Sequence, residues 1–249
     1  MQKKRLLILV ACLALLTAGF SGTVTTATAP NQTSDVAFKT PEEAITAYLE
    51  GVAQGDFRKI LQACAINEMS EKFKFDLYID RLKAFVPSQA QSPANYPFYV
   101  ELNKAQLSSQ ISTQVKFLVY GLLSTEEVSA GNTILMDVER ANIFIKAVDP
   151  KRLAQMEVKK IDLPSKTLMS SAKYLEMASQ TARMYGADES TERVALFSFE
   201  QNYYFVGFTL LRYGENWKIS SQTSPMSNIS SMGDPEKITV EGFEGMISK

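Results

Sequence analysis

The sequence predicts an α+β fold in which N-terminal helices pack on a C-terminal antiparallel sheet, with a largely helical segment between them. Three patterns support this class: helical apolar spacing in residues 40–65, further helical spacing in residues 66–150, and three consecutive strand-like stretches in residues 192–222. The composition, 45% hydrophobic and 21% charged over 249 residues, is that of an ordinary globular protein. We therefore expect one domain over residues 40–224.

Ahead of this domain, residues 1–29 have the layout of a secretory signal peptide. A basic start at residues 3–5 precedes an apolar run over residues 6–20, and small residues follow. We predict that the protein is exported to the cell envelope or the surroundings of a bacterium, with this leader either cleaved or retained as a membrane anchor. Residues 30–39 would then form a tether.

The stretch LVAC within the leader indicates an alternative. It is similar to the lipobox of bacterial lipoproteins, which would place a lipid on Cys12. Against this alternative, only six apolar residues precede Cys12 and the apolar run continues beyond it. Cleavage, retention and lipidation of the leader therefore stay open.

The first element of the domain is a helix that begins at Pro41. Thr40 occupies the N-cap position, and Glu43 completes a capping box. Gly55 ends this helix. The apolar spacing of the next helix places Cys64 on its buried face, where a small core residue is a better interpretation than a reactive thiol.

The middle of the chain is predicted to be mainly helical. Residues 107–122 alternate in part like a strand, but helical spacing fits them better. Prolines mark the loop that precedes them. The predicted elements are helices over about 75–85, 107–122, 137–148 and 168–185, a loop over 87–97 and a strand over 156–164.

Three strands joined by two-residue turns close the domain. They are predicted at about 192–200, 203–213 and 216–222. If Glu200 opposes Tyr203 and Tyr213 opposes Asn216, the register sorts their side chains onto two faces. The core face carries Ala195, Phe197, Phe199, Tyr204, Val206, Phe208, Leu210, Trp217 and Ile219. The second face carries Val194, Leu196, Ser198, Tyr203, Phe205, Gly207, Thr209, Leu211, Tyr213, Lys218 and Ser220.

Two stretches carry a family resemblance: TPEEAITAYLEGVAQGDFRKIL and YYFVGFTLLRYGENWKI. Over about residues 40–65 and 192–222 the chain resembles the exported bacterial branch of the nuclear-transport-factor-two-like superfamily. The resemblance implies a cystatin-like cone, with helices on one face of a strongly curved sheet and a pocket or dimer interface on its concave face. The long helical middle, residues 66–150, departs from the family pattern.

The residue content excludes several functions. The chain has no histidine, which excludes Ser-His-Asp and Cys-His catalysis. The resemblance implies that enzymatic members generally place an Asp-His pair or a similar acid-base pair in the cavity, and no position here can match the histidine. Without residues 3–5 it has 23 basic residues (26 less 3) against 27 acidic ones, which argues against nucleic-acid binding. No metal or nucleotide motif occurs, so we predict no cofactor and no metal.

Tyr203, Phe205, Thr209 and Tyr213 are the candidate binding residues, because they stand on the second face, which the resemblance makes concave. Burial of this face under the middle segment is the alternative. The charged stretch YGADESTER, residues 185–193, could bring two carboxylates to a pocket mouth, although such runs are usually solvated.

The leading functional hypothesis is a non-catalytic domain that binds a protein or a small ligand through the second face. An enzyme that uses carboxylates and tyrosines, and a structural homodimerisation module, are the alternatives. Membrane contact is expected only through the N-terminal segment. Residues 225–249 are rich in Ser, Gly and Met at their start, and we expect a loosely ordered tail there.

Overall fold

The secondary structure confirms the predicted α+β class. The computed structural model describes residues 36–88, 90–129, 132–229 and 232–248, so the predicted leader and Cys12 lie outside the described residues. The helices are α1 (Pro41–Gln54), α2 (Phe57–Gln62), α3 (Ile66–Lys72), α4 (Phe75–Leu82), α5 (Pro97–Leu123), α6 (Val138–Ala147), α7 (Lys166–Met169), α8 (Ala172–Met184) and α9 (Val240–Ile247). The strands are β1 (Glu157–Asp162), β2 (Glu189–Phe199), β3 (Asn202–Tyr213), β4 (Asn216–Ser221) and β5 (Glu236–Ile238), with 3₁₀ turns at Pro150–Gln155 and Pro225–Ser227.

Helix α1 begins with the predicted Thr40 cap, but the other half of the predicted capping box differs, because the Glu43 carboxylate bonds to the residue before the N-cap. The Thr40 hydroxyl accepts a hydrogen bond from the Glu43 N–H at 3.1 Å, and the Glu43 carboxylate accepts one from the Lys39 N–H at 2.7 Å. Gly55 ends the helix in the left-handed conformation, at φ 65°. The buried stripe of α1 consists of Ile45, Tyr48, Leu49 and Val52.

The sheet is antiparallel, in the order β1-β2-β3-β4, and β5 pairs with the start of β3. Its core face carries the residues that the sequence predicts, and α1, α2 and part of α5 pack against them. This core includes Ala195, Phe197, Phe199, Val206, Phe208, Leu210, Trp217 and Ile219, with Tyr204 packed at its margin. The assignment of side chains to the two faces is therefore confirmed.

The predicted register of the first hairpin is wrong in detail. Phe199 pairs with Asn202, so Glu200 and Gln201 form the turn, where we expected Glu200 to oppose Tyr203. Glu200 adopts a left-handed conformation, at φ 53°, and so takes the first turn position. The face assignment survives because the pairing moves by two positions in total, and the side-chain period of a strand is two.

The prediction that Cys64 is a buried core residue is confirmed. Cys64 is 5% exposed, and its Sγ lies 3.3 Å from the Ile60 carbonyl oxygen. Burial raises the pKa of this thiol, which keeps it protonated and unreactive. Arg212 stands opposite Trp217 on the neighbouring strand, with its guanidinium 5.8 Å from the centre of the indole ring.

Helix α5 confirms the helical interpretation of residues 107–122 and connects the two sides of the sheet. Its N-terminal part packs Leu107 against Leu211 of the second face. Its C-terminal part contributes Ile111 and Leu118 to the core. Because α5 has 27 residues, it is about 40 Å long, which is enough to serve both sides.

The C-terminal segment contradicts the expectation of a loose tail over residues 225–249. It forms the second 3₁₀ turn, β5 and α9, and Phe243 of α9 is fully buried. Phe243 and Ile247 form a second apolar cluster with Val194, Leu196 and Phe205. The physical reason is that α9 supplies the apolar cover that these second-face residues need.

Candidate functional site

Two of the four predicted binding residues, Tyr203 and Phe205, lie where β5 pairs with β3, and α9 packs over Phe205. Phe205 is 4% exposed, and its ring centre lies 6.4 Å from that of Phe243. Tyr203 pairs with Ile238 of β5, and its side chain is 38% exposed. A ligand can reach Tyr203 there, whereas Phe205 is part of the apolar cluster.

The chain crosses the second face directly above Gly207. A Cβ atom at position 207 would lie 2.5 Å from Cβ and 2.8 Å from the backbone nitrogen of Ser224. Thr209, the third predicted residue, donates its hydroxyl to the Thr223 carbonyl oxygen at 2.9 Å. Residues 223–229 therefore bisect the second face, and Thr209 helps to hold them.

Tyr213, the fourth predicted residue, lies on the other side of this crossing. Its hydroxyl donates to the Tyr185 carbonyl oxygen at 3.1 Å, and the Lys72 ammonium lies 4.7 Å from the centre of its ring. The structure does not bring the four predicted residues together, and their role in binding stays a prediction. Tyr213 and Thr209 each contact a residue that lines one cavity: Tyr213 bonds to Tyr185, and the Thr209 carbonyl oxygen accepts a hydrogen bond from the Ser220 hydroxyl at 3.0 Å.

This cavity, the Gln91 pocket, has a volume of about 160 Å³. It lies between α3, α4, α5 and the end of β4, and the loop before α5 closes one side. Its lining consists of Met69, Phe73, Tyr78, Ala90, Gln91, Gln106, Leu107, Gln110, Tyr185, Ser220 and Ser221. Every one of these side chains is uncharged at neutral pH.

Gln91 is held in place by its neighbour in the chain. Asn103 of α5 is fully buried, and its side chain accepts a hydrogen bond from the Ser92 N–H at 2.8 Å and donates one to the Ser92 carbonyl at 2.9 Å. Gln91 itself is 6% exposed, and its Oε1 has no hydrogen-bond partner among the described residues. An unsatisfied buried acceptor costs about 1–3 kcal/mol, so a hydrogen-bond donor that reached this oxygen would stabilise the folded state.

An aromatic wall faces the same pocket. The ring of Phe73 lies 5.8 Å from that of Tyr78 and 5.7 Å from that of Tyr185, measured between centres. Burial raises the pKa of Tyr185 to about 12, so its hydroxyl keeps its proton at neutral pH. The wall thus offers ring surface and a hydroxyl that can both donate and accept.

A buried hydrogen-bond network fixes the floor of the pocket. Ser221 accepts a hydrogen bond from the Gln114 side-chain amide at 2.7 Å, and the Gln114 oxygen accepts one from the Gln222 N–H at 2.9 Å. The Tyr48 hydroxyl of α1 donates to the Gln222 side chain at 2.7 Å. Since these partners come from α1, α5 and β4, the floor is preorganised by the core.

The charged stretch at residues 185–193 contains a buried carboxylate, Glu192, which is 7% exposed. One of its oxygens accepts hydrogen bonds from the Ser224 hydroxyl at 2.6 Å and from the Met226 N–H at 3.0 Å. Burial raises its pKa, and these hydrogen bonds oppose that rise. Glu192 therefore anchors the segment that crosses above Gly207, whereas we expected this charge run to be solvated.

The buried Glu192 predicts a pH dependence of stability. Because the folded-state pKa is raised, the folded protein holds its proton where the unfolded chain has lost it, so the free energy of unfolding falls as pH rises through this window. The fall is at most about 1.4 kcal/mol per pH unit. We expect Glu192→Gln to flatten this part of the profile in urea unfolding from acidic to neutral pH. Glu189→Gln, on an exposed site of the same strand, should leave the fall in place; equal profiles for the wild type and Glu192→Gln would contradict the assignment.

A second, larger cavity of about 410 Å³ lies between α7, α8 and the start of β2. Its lining mixes basic Lys166 and Arg183 with acidic Asp188 and Glu189. Both acidic groups already have partners, since Asp188 accepts from the Gly214 N–H at 2.7 Å and Glu189 lies 3.2 Å from Arg212. This groove carries no buried polar atom that lacks a partner in the described part of the chain.

Neither a metal centre nor a membrane span is found in the described ranges. Over residues 36–248, apart from the undescribed gaps, no three Asp, Glu or Cys side chains are grouped so that they could hold a metal ion. Within the same residues, no helix combines the length and apolar character that crossing a membrane requires.

The sequence indicates the position of the Gln91 pocket only in part. Residues 87–97 are predicted to be a loop, and their amide content gives no sign that Gln91 points inward. The contributions of Tyr78, Gln110 and Ser220 come from three separate elements. Only the tertiary packing brings these residues together, and no local pattern in the sequence predicts that packing.

Comparison with known proteins supports the fold and goes no further. No family model matches this chain, and no curated protein matches it. Among solved structures it is similar to a cystatin-like protein from Ruminococcus gnavus, with 22% identity and a TM-score of 0.55 over 80% of this chain. The match covers 45% of that protein, so this chain spans less than half its length. The fold is thus cystatin-like, as the resemblance implies.

Proposed function

We propose that this protein is an exported, non-catalytic binding domain whose ligand site is the Gln91 pocket. The observation that carries the proposal is a cavity of about 160 Å³ lined by Gln91, a buried residue whose Oε1 lacks a partner among the described residues. A ligand that donates a hydrogen bond to this oxygen would remove the cost of leaving it unsatisfied. The rigid network behind Ser221 supports selective binding, because it holds the floor in one geometry.

The chemistry of the lining supports binding in preference to catalysis. Acid-base and nucleophilic mechanisms need a group that changes its protonation or attacks a bond near neutral pH. The described lining contains no carboxylate, lysine or cysteine, and burial keeps the Tyr185 hydroxyl protonated. The buried carboxylate of Glu192 is hydrogen-bonded to Ser224 and Met226 instead.

Export is supported by the basic and apolar layout of residues 1–29. Fusion of residues 1–39 to an alkaline phosphatase that is active only outside the cytoplasm tests it. We expect phosphatase activity from the fusion, and none when Lys3, Lys4 and Arg5 are moved behind the apolar run. Equal activity from both fusions, or activity from neither, would contradict export through this leader.

Blocking the pocket tests the proposed site. Gln110 is exposed on α5 at the edge of the pocket, so Gln110→Trp should fill the entrance without disturbing the core. We expect ligand-observed NMR with a panel of hexoses, amino acids and short dicarboxylates to detect binding to the wild type that this variant loses. Ser109→Trp, also exposed and outside the lining, is the matched control and should bind normally. Binding that survives Gln110→Trp, or no binding across the panel, would contradict the proposed site.

Replacement of Gln91 by leucine should separate binding from stability. Because its Oε1 is unsatisfied in the described structure, Gln91→Leu is expected to raise the free energy of unfolding by about 1 kcal/mol. Gln114→Leu is the control, since Gln114 serves Ser221 and Gln222, and we expect it to cost about 2–3 kcal/mol. Urea unfolding measures both. A comparable loss from the two variants would mean that Gln91 serves a structural hydrogen bond.

A further inference from the structure

We infer that the Gln91 pocket selects a single uncharged sugar ring. This inference rests on the proposed function and adds the chemical class of the ligand. It follows from the kinds of polar groups that line the pocket, from the aromatic wall and from the volume of the cavity.

The polar groups of the pocket match hydroxyl groups. The side-chain amides of Gln91 and Gln110 each offer donors and an acceptor, and the Tyr185 hydroxyl can do both. Ser220 offers only an acceptor, because its hydroxyl donates to the Thr209 carbonyl oxygen at 3.0 Å. A ligand carboxylate needs donors only, and a ligand ammonium needs acceptors only. A ring of neighbouring hydroxyl groups can use both kinds at once, as this lining requires.

The absence of charge on the described lining disfavours ionic ligands. Transferring a charged group into a buried site without an opposite charge is costly, because it loses its hydration without compensation. Gln91 is 6% exposed, so the inner end of the pocket is shielded from water. An uncharged ligand avoids this cost.

The aromatic wall and the volume favour one ring. Phe73, Tyr78 and Tyr185 line the pocket with aromatic surface. The negative potential of an aromatic face attracts the slightly positive C–H groups on the face of a sugar. The volume of about 160 Å³ lies below the ~300–1,000 Å³ typical of drug-sized ligands. One hexose is therefore the appropriate size, and a longer saccharide would have to extend out of the entrance beside Gln110.

Sugars that share one ring size but differ in charge test the inference on a chain that begins after residue 29. Titration calorimetry and ligand-observed NMR would compare glucose, galactose and mannose with glucuronate and protonated glucosamine. We expect at least one neutral hexose to bind ten times more tightly than either charged probe. Gln91→Leu should weaken that binding roughly five- to tenfold, which is the effect of one neutral hydrogen bond. Gln54→Leu, at an exposed site on α1, is the control and should leave the affinity unchanged.

The outcomes separate this inference from the proposed function. If glucuronate or glucosamine binds best and Gln110→Trp abolishes that binding, the inferred ligand class is wrong, but the proposed site is supported. If none of the five sugars binds while an amino acid or a dicarboxylate binds and is lost in Gln110→Trp, the inference is likewise overturned. If nothing binds in either set of probes, both fail. Unchanged neutral-hexose binding in Gln91→Leu would also overturn the inference.

Discussion

Phe243→Ala is expected to lower the free energy of unfolding by about 3–5 kcal/mol. Phe243 is fully buried, and its ring packs against Phe205 in the cluster that covers part of the second face. Truncation removes this apolar contact and leaves a cavity between α9 and the sheet. Urea unfolding followed by tryptophan fluorescence measures the loss, because Trp217 lies in the core.

Val240→Ala is the matched control for this prediction. Val240 lies on the same helix but is 37% exposed, so its truncation should change stability by no more than about 0.5 kcal/mol. A loss below about 1 kcal/mol for Phe243→Ala would mean that the C-terminal segment is not part of the cooperative fold.

Gly207→Ala is expected to lower the free energy of unfolding by about 3 kcal/mol, because it overpacks a close crossing of two segments. The new methyl group would meet both Cβ and the backbone nitrogen of Ser224 at less than 3 Å. Ser224 cannot move away freely, because its hydroxyl is bonded to the buried Glu192. We expect residues 223–229, which cross the second face, to detach from it. Faster limited proteolysis within residues 222–235 would detect this detachment, and urea unfolding would measure the loss of stability.

Gly245→Ala provides the control for a glycine with free space around it. Beyond the neighbouring backbone of α9 itself, no atom of the described residues lies within 4 Å of a Cβ at this position. Since alanine is favoured over glycine in a helix, we expect the free energy of unfolding to rise by about 0.5–1 kcal/mol. A Gly207→Ala variant as stable as the wild type would contradict the close crossing of the second face.

Local patterns account for much of the fold. The cap at Thr40 and the alternation through Val206, Phe208 and Leu210 depend on neighbours in the chain, and the structure confirms both. The left-handed Glu200 shifts the hairpin register, because a turn position is decided by backbone conformation that side-chain alternation does not reveal. The order of the C-terminal segment also escapes prediction, since α9 depends on contacts with the distant residues Val194 and Leu196.

The candidate site could be predicted only as far as the second face. The sequence identifies that face as unusually apolar. One of the predicted residues, Tyr213, donates a hydrogen bond to Tyr185, which lines the pocket. The apolar side chain of Phe205 packs against Phe243, so it contributes to the fold and does not line the pocket. Gln91 escapes prediction because its role depends on Asn103 holding the preceding loop, and a glutamine in a proline-rich stretch is ordinarily solvated.

The most direct test of the account is a ¹H–¹⁵N NMR titration that locates the bound sugar. With the neutral hexose that binds best, we expect the largest shift changes at the side-chain amides of Gln91, Gln106 and Gln110 and at the backbone of Ser220 and Ser221. The backbone amides of Tyr203 and Ile238, on the far side of the crossing segment, should not respond. Shift changes centred on Tyr203, with the Gln91 amide unaffected, would contradict the assignment of the Gln91 pocket as the ligand site.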